Sequence, residues 1–129
     1  MSKIINPPSL PKPRGYSHGV LMPPGRTLFV AGQVGMKSDQ LASGFVDQFA
    51  AALDNVRAVV DAAGGAVEHV GRLTIYVSDM ETYLANAKAL GPAYRAVFGD
   101  HYPAMSAVEV SRLLDPRLLV EIEATAVLP

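Results

Sequence analysis

Between Gly44 and Gly64 the apolar residues Phe45, Phe49, Leu53, Val56, Val60 and Ala63 recur every three or four positions. That spacing gathers side chains on one face of an α-helix. Ser43 is the expected N-cap, and Asp47 complements the positive end of the helix. Gly64 and Gly65 end it where left-handed backbone is required. A second segment, "DMETYLANAKALGPAYRAVFGD" (79–100), starts at the N-cap candidate Asp79 and carries Tyr83, Leu84, Ala87, Leu90, Tyr94 and Phe98 at helical spacing. Pro92 within it predicts a kink or a break into two helical pieces. Two amphipathic helices need a sheet face to cover, so an α+β layer structure follows, with both helices on one face of the sheet.

The sheet comes from short alternating runs. "LLVEIEATAVLP" (118–129) sets Val120, Ile122, Ala124 and Ala126 on one side and Glu121, Glu123 and Thr125 on the other. "GRLTIYVSD" (71–79) alternates Leu73, Ile75 and Val77 against Thr74 and Tyr76. "GVLM" (19–22) and "TLFVAGQ" (27–33), separated by "PPGR", read as a β-hairpin. "SAVEVSRL" (106–113) and the terminal run, joined by "LDPR", read as a closing hairpin, and "MKSDQLASG" (36–44) as a polar loop. The order is ββαβαββ, a mixed sheet in a single domain spanning residues 1–129. Residues 1–14 hold four of the ten prolines and are expected to be extended.

Composition narrows the partners. Eleven basic and twelve acidic side chains leave a formal charge of −1, which gives nucleic acid or an anionic membrane no electrostatic hold. Without cysteine there is no disulfide, thiolate nucleophile or cysteine metal site. No apolar run approaches the roughly 20 residues of a membrane helix, and the proline-rich start lacks a signal-peptide core. The expected location is the cytoplasm.

The chemical inventory is sparse. His18, His69 and His101 show no metal-ligand spacing, although His18 and His101 fall in loops able to frame a pocket. The glycines form neither GxGxxG nor a P-loop, and no GxSxG elbow is present. Glu109, Glu121 and Glu123 lie on strands. Their bland reading is a solvated sheet face. Their functional reading is a glutamate in a partly dry cleft, where a raised pKa suits it to move protons near neutrality. The residues alone leave both open.

Six motifs in order add to this: "GYSHGV" (15–20), "LFVAGQVG" (28–35), "LDNVRAVVDAAGG" (53–65), "VGRLTIYVSDM" (70–80), "YPAMSAVEVSRL" (102–113) and "VEIEATAV" (120–127). Together they resemble the RidA/YjgF-type family of imine/enamine deaminases over nearly the whole chain after residue 14. The resemblance implies a chorismate-mutase-like fold, a homotrimer with three clefts at subunit interfaces, and a small-molecule substrate. It also implies hydrolysis of a reactive imine with loss of ammonia, using no cofactor or metal. By that pattern Glu121, first glutamate of "EIE", orients the water and shuttles protons, Glu123 is a surface or interface residue, and Tyr16 lines the cleft.

Three positions depart from the family. The arginine that follows "PA" and clamps the substrate carboxylate is here Met105, and a thioether cannot hold an anion. The serine before "GQ" is Ala31, and the asparagine three before the helix aromatic is Gly91. A wider, more apolar cleft follows. Arg14 and His18 are the available substitute anchors. Arg112 is expected in a structural ion pair with a neighbouring strand or subunit, and Arg72 and Arg95 carry no signal of their own. Either the chain deaminates a larger substrate, such as an aminomuconate-type enamine, or it is a non-catalytic trimer whose clefts bind an apolar metabolite or a protein partner.

Overall fold

The structure, a computed structural model, describes residues 2–129. In chain order the elements are β1 (Lys3–Ile5), β2 (Gly19–Leu21), β3 (Arg26–Val34), β4 (Met36–Lys37), β5 (Gln40–Leu41) and α1 (Phe45–Ala62). They continue with β6 (Val70–Val77), α2 (Met80–Ala85), α3 (Ala87–Phe98), β7 (Ala104–Glu109) and β8 (Val120–Leu128). A four-stranded mixed sheet runs β3-β8-β6-β7, antiparallel except for the parallel pair β6 and β7. The α+β architecture and the βαβ unit therefore stand as expected.

The alternation in β8 governs the layering. Val120, Ile122, Ala124, Ala126 and Leu128 are buried, while the intervening Glu121, Glu123, Thr125 and Val127 are half-exposed on the opposite face. The buried side meets Phe45, Phe49, Leu53, Val56 and Val60 of α1 and Leu90, Tyr94 and Phe98 of α3, the stripes read from the sequence. Each large apolar side chain so buried stabilises the fold by about 1.5–3 kcal/mol. The cap of α1 is Gly44 rather than Ser43, with Gly44 at φ +85° and no side-chain cap bond. That left-handed approach to the helix suits glycine and leaves a serine no advantage at the preceding residue. Gly64 does end the helix at φ +84°, and Asp79 does cap α2, accepting from the Glu81 amide at 3.0 Å.

Several expectations are corrected. The segments 19–22 and 27–33 do not form a hairpin: β2 pairs with β1, and β3 pairs with β8. Pro23 and Pro24 have no amide to donate, so a tight ladder cannot start at that turn. The extended N-terminal segment thus contributes a strand of its own. Nor do β7 and β8 close a hairpin. The helical crossover returns β7 parallel beside β6, and the ten-residue connection 110–119 carries β8 into the sheet interior, where neighbours satisfy both of its edges. The second helical segment breaks at Asn86, not Pro92; Pro92 lies inside α3 and removes one helical hydrogen bond without interrupting it. The polar loop 36–44 contains the β4–β5 ribbon, tied to α1 by Lys37 donating to Asp54 at 2.6 Å and Asn55 at 2.7 Å. The Lys37 hydrogen bond, aided by Arg57, holds the Asp54 carboxyl below its ordinary range against partial desolvation.

Candidate active site

Met105 and Ala107 lie opposite Leu73 and Ile75 across the β6–β7 ladder and so face the helices. Because β7 is the edge strand, the sheet ends there and a gap opens under α2 and α3. It forms a cleft of about 620 Å³ whose walls include Tyr16, Phe49, Tyr83, Tyr94 and Tyr102. That volume is within the range of clefts that enclose a medium-sized organic ligand. Arg14 and Arg95, both exposed, are its charged lining residues.

Tyr16 is delivered by its neighbours. Gly15 turns the chain at φ +77°, and buried Ser17 then anchors it, its amide donating to Pro103 O at 3.1 Å and its hydroxyl to Tyr102 O. Tyr94 donates to His101 O at 2.6 Å and stacks on Tyr102 with ring centroids 5.2 Å apart. Burial pushes the Tyr94 hydroxyl well above its ordinary pKa and raises Tyr83 for the same reason. These phenols are neutral walls at pH 7. At Gly91 a Cβ would stand 3.2 Å from Nη1 of Arg95, so the guanidinium folds back over that glycine.

The glutamates occupy the other face. Glu121 lies across from Val34 of β3 and Tyr76 of β6, and its carboxyl rests on Gly32, where a Cβ would come within 2.7 Å of Cδ. Gly32 belongs to a bulge in β3 between Val30 and Gln33, a device that re-aims backbone beside functional groups. Next to it Tyr76 donates to Glu123 Oε2 at 2.8 Å. That hydrogen bond, with smaller contributions from desolvation and both carboxylates, raises the Tyr76 pKa. Exposed Phe29 lies across from Thr125 on the same face.

Of the residues singled out from sequence, Tyr16, Met105, Gly91 and Arg14 share the cleft. Glu121, Ala31 and His18 do not. Glu121 is on the opposite sheet face from Ile122 and Ile75, and Ala31 sits in the bulge of β3, at the far edge of the sheet from β7. His18 is held by the N-terminal segment: its amide donates to Asn6 Oδ1 at 2.8 Å, and Nε2 lies 2.7 Å from Pro11 O. His101 is likewise structural, with Nε2 2.8 Å from Val70 O. Arg112 has no ion-pair partner among the described residues. No three His, Asp or Glu side chains among those residues converge as metal ligands would. No helix of the described residues is long and apolar enough to cross a membrane.

Sequence reasoning missed Arg95, Tyr83, Tyr94 and Tyr102 as lining residues and Tyr76 as the partner of Glu123. The signal for Arg95 was its place four residues after Gly91, one helical turn along the same face.

Known proteins resemble this chain along almost its whole length. Residues 9–128 match the family described as Endoribonuclease L-PSP. A RutC family protein of Pyrococcus horikoshii is 38% identical over 131 residues, covering 98% of both chains. The 2-iminobutanoate/2-iminopropanoate deaminase of Escherichia coli is 34% identical over 134 residues, again covering 98% of each. A crystal structure of YyfB, a protein of the conserved Rid family from Yersinia pestis, superposes with a TM-score of 0.88 at 35% identity and 98% coverage of both chains.

Proposed function

The chain belongs to the Endoribonuclease L-PSP family, the RidA/YjgF family of the sequence resemblance, and from that premise we propose that it is an imine/enamine deaminase. The substrate is a reactive imine larger than a short 2-imino acid. Water adds to the C=N carbon, the resulting carbinolamine expels ammonia, and a carbonyl compound remains. Glu121 is the group that serves this reaction: its carboxylate takes a proton from the attacking water and returns one to the departing nitrogen. The observation that carries the reading is the seat of Glu121, lodged half-buried against the Gly32 bulge.

Because Glu121 and the aromatic cleft lie on opposite faces of one sheet, the reading includes association of copies. A homotrimer in which the open sheet faces meet neighbouring copies would complete each cleft with groups from another subunit. Phe29, 79% exposed beside Thr125 on that face, supports it as the buried side of the assembly. One observation favours a second reading, a trimer that binds an apolar ligand without turning it over: Met105 stands where the family holds its anion clamp. The deciding experiment measures ammonia released from imines made in situ, with wild type beside Glu121→Ala. Release that depends on Glu121 supports the deaminase, and silence from the wild type on short and aromatic imines overturns it in favour of ligand binding.

A further inference from the structure

We infer that Arg95 binds the substrate's carboxylate, its guanidinium brought over Gly91 to the cleft in place of the strand arginine that Met105 has displaced. The inference rests on the deaminase reading for the word substrate, but its geometry is independent of turnover. Both terminal nitrogens stand over the glycine: a Cβ at position 91 would lie 3.2 Å from Nη1 and 3.7 Å from Nη2. A larger residue there, such as the family's asparagine, would press the guanidinium outward. Two of the three departures from the family pattern, Met105 and Gly91, are therefore one exchange, in which losing arginine from β7 is matched by clearing room for an arginine on α3.

The surroundings fit an anion. No carboxylate lines the cleft, so an incoming carboxylate meets no like charge. Among the described residues Arg95 forms no ion pair, the pairs being those of Lys37, Arg57 and Arg117. Its five N–H donors are thus available, and a planar fork suits bidentate capture of a carboxylate. Arg14 lies in the loop ahead of Gly15, whereas Arg95 projects from a helix packed on the core through Tyr94 and Phe98, so Arg95 is the better preorganised of the two. With the carboxylate at Arg95, the rest of the ligand lies against Tyr94, Tyr102 and Met105. The ligand class is a 2-imino acid with an aromatic or conjugated side chain.

The test has a binding arm and a turnover arm. Calorimetry measures phenylpyruvate, a 2-oxo acid of the product class, on wild type, Arg95→Gln, Gly91→Asn and Arg14→Gln. Arg95→Gln and Gly91→Asn should each weaken binding about ten- to hundredfold, the weight of a charge-assisted hydrogen-bond pair, and Arg14→Gln much less. In turnover of the imine made from phenylalanine by an amino-acid oxidase, Arg95→Gln should raise KM far more than it lowers kcat. Adding Met105→Arg to Arg95→Gln should restore much of the loss. Unchanged binding and KM in Arg95→Gln overturn the inference while leaving the deaminase intact. Binding that depends on Arg95 without any ammonia release keeps the anchor and overturns the deaminase. Failure of the wild type to bind phenylpyruvate overturns the anchor.

Discussion

The Glu121 carboxyl lies so close over Gly32 that a methyl group on that glycine would come within 2.7 Å of Cδ. A glutamate reaching across a strand boundary onto bare backbone has its carboxylate placed by the absence of a side chain. Gly32→Ala should therefore cut ammonia release about ten- to hundredfold, the range for a misplaced reacting group. Melting should change little, because the group that must yield is the end of a flexible side chain. Paired kinetics and thermal melts check this; unaffected turnover would mean that the carboxylate position does not matter.

The assembly can be tested apart from catalysis. Phe29→Asp places a charge on the open sheet face, where it has no core neighbours to lose. The circular dichroism spectrum of the single chain should persist while sedimentation shifts from a trimer to a monomer, with loss of activity. A wild type that sediments as a monomer would end the intersubunit reading.

Gln48 is the polar residue on which two loops converge. Buried in α1, it donates to Arg117 O at 3.1 Å and Ala42 O at 3.3 Å, and accepts from the Leu119 amide at 2.8 Å. Gln48→Leu leaves these backbone groups without their partner in a dry place. Denaturant unfolding should show a loss of about 2–3 kcal/mol.

The pH dependence has opposite signs at its two ends. Asp115 is pulled down to about 2 by the Arg117 side chain, then by the Arg117 amide. The benefit of that pairing is present above the ordinary carboxylate pKa of 3.8 and lost as pH falls through about 2. Carboxyl NMR titration should find Asp115 the late-protonating aspartate. Tyr94 runs the other way. Burial raises its pKa, so its contribution is complete below the ordinary value of 10.0 and declines as pH rises above it, when the unfolded chain ionises first. Ultraviolet titration should find phenols that resist ionisation until unfolding, and Tyr94→Phe should flatten that alkaline loss.

The helix stripes and the alternation in β8 were legible because each is a local period imposed by burial on one side. Pairing was not legible, since nothing in "GVLM" records that prolines 23 and 24 deny it the next strand, or that Lys3–Ile5 would take its place. The break at Asn86 escaped for a similar reason: proline is the louder signal, but Pro92 could be absorbed within α3. At the site, motif order picked out Glu121, Tyr16, Met105 and Gly91. It could not tell that one sheet separates the first from the other three, because residue type carries no record of which face the register selects. Arg95 was passed over because its meaning lies in a neighbour that has no side chain.

The last strand in chain order, β8, lies between β3 and β6 and fastens two-thirds of the sheet's seams. Without residues 120–128 the sheet falls into β3 on one side and the paired β6 and β7 on the other, with the facing rims of β3 and β6 left unpaired. The sheet is completed only when β8 enters the slot between them. A chain stalled before that point would offer chaperones, or its own copies, a gap shaped for one more strand.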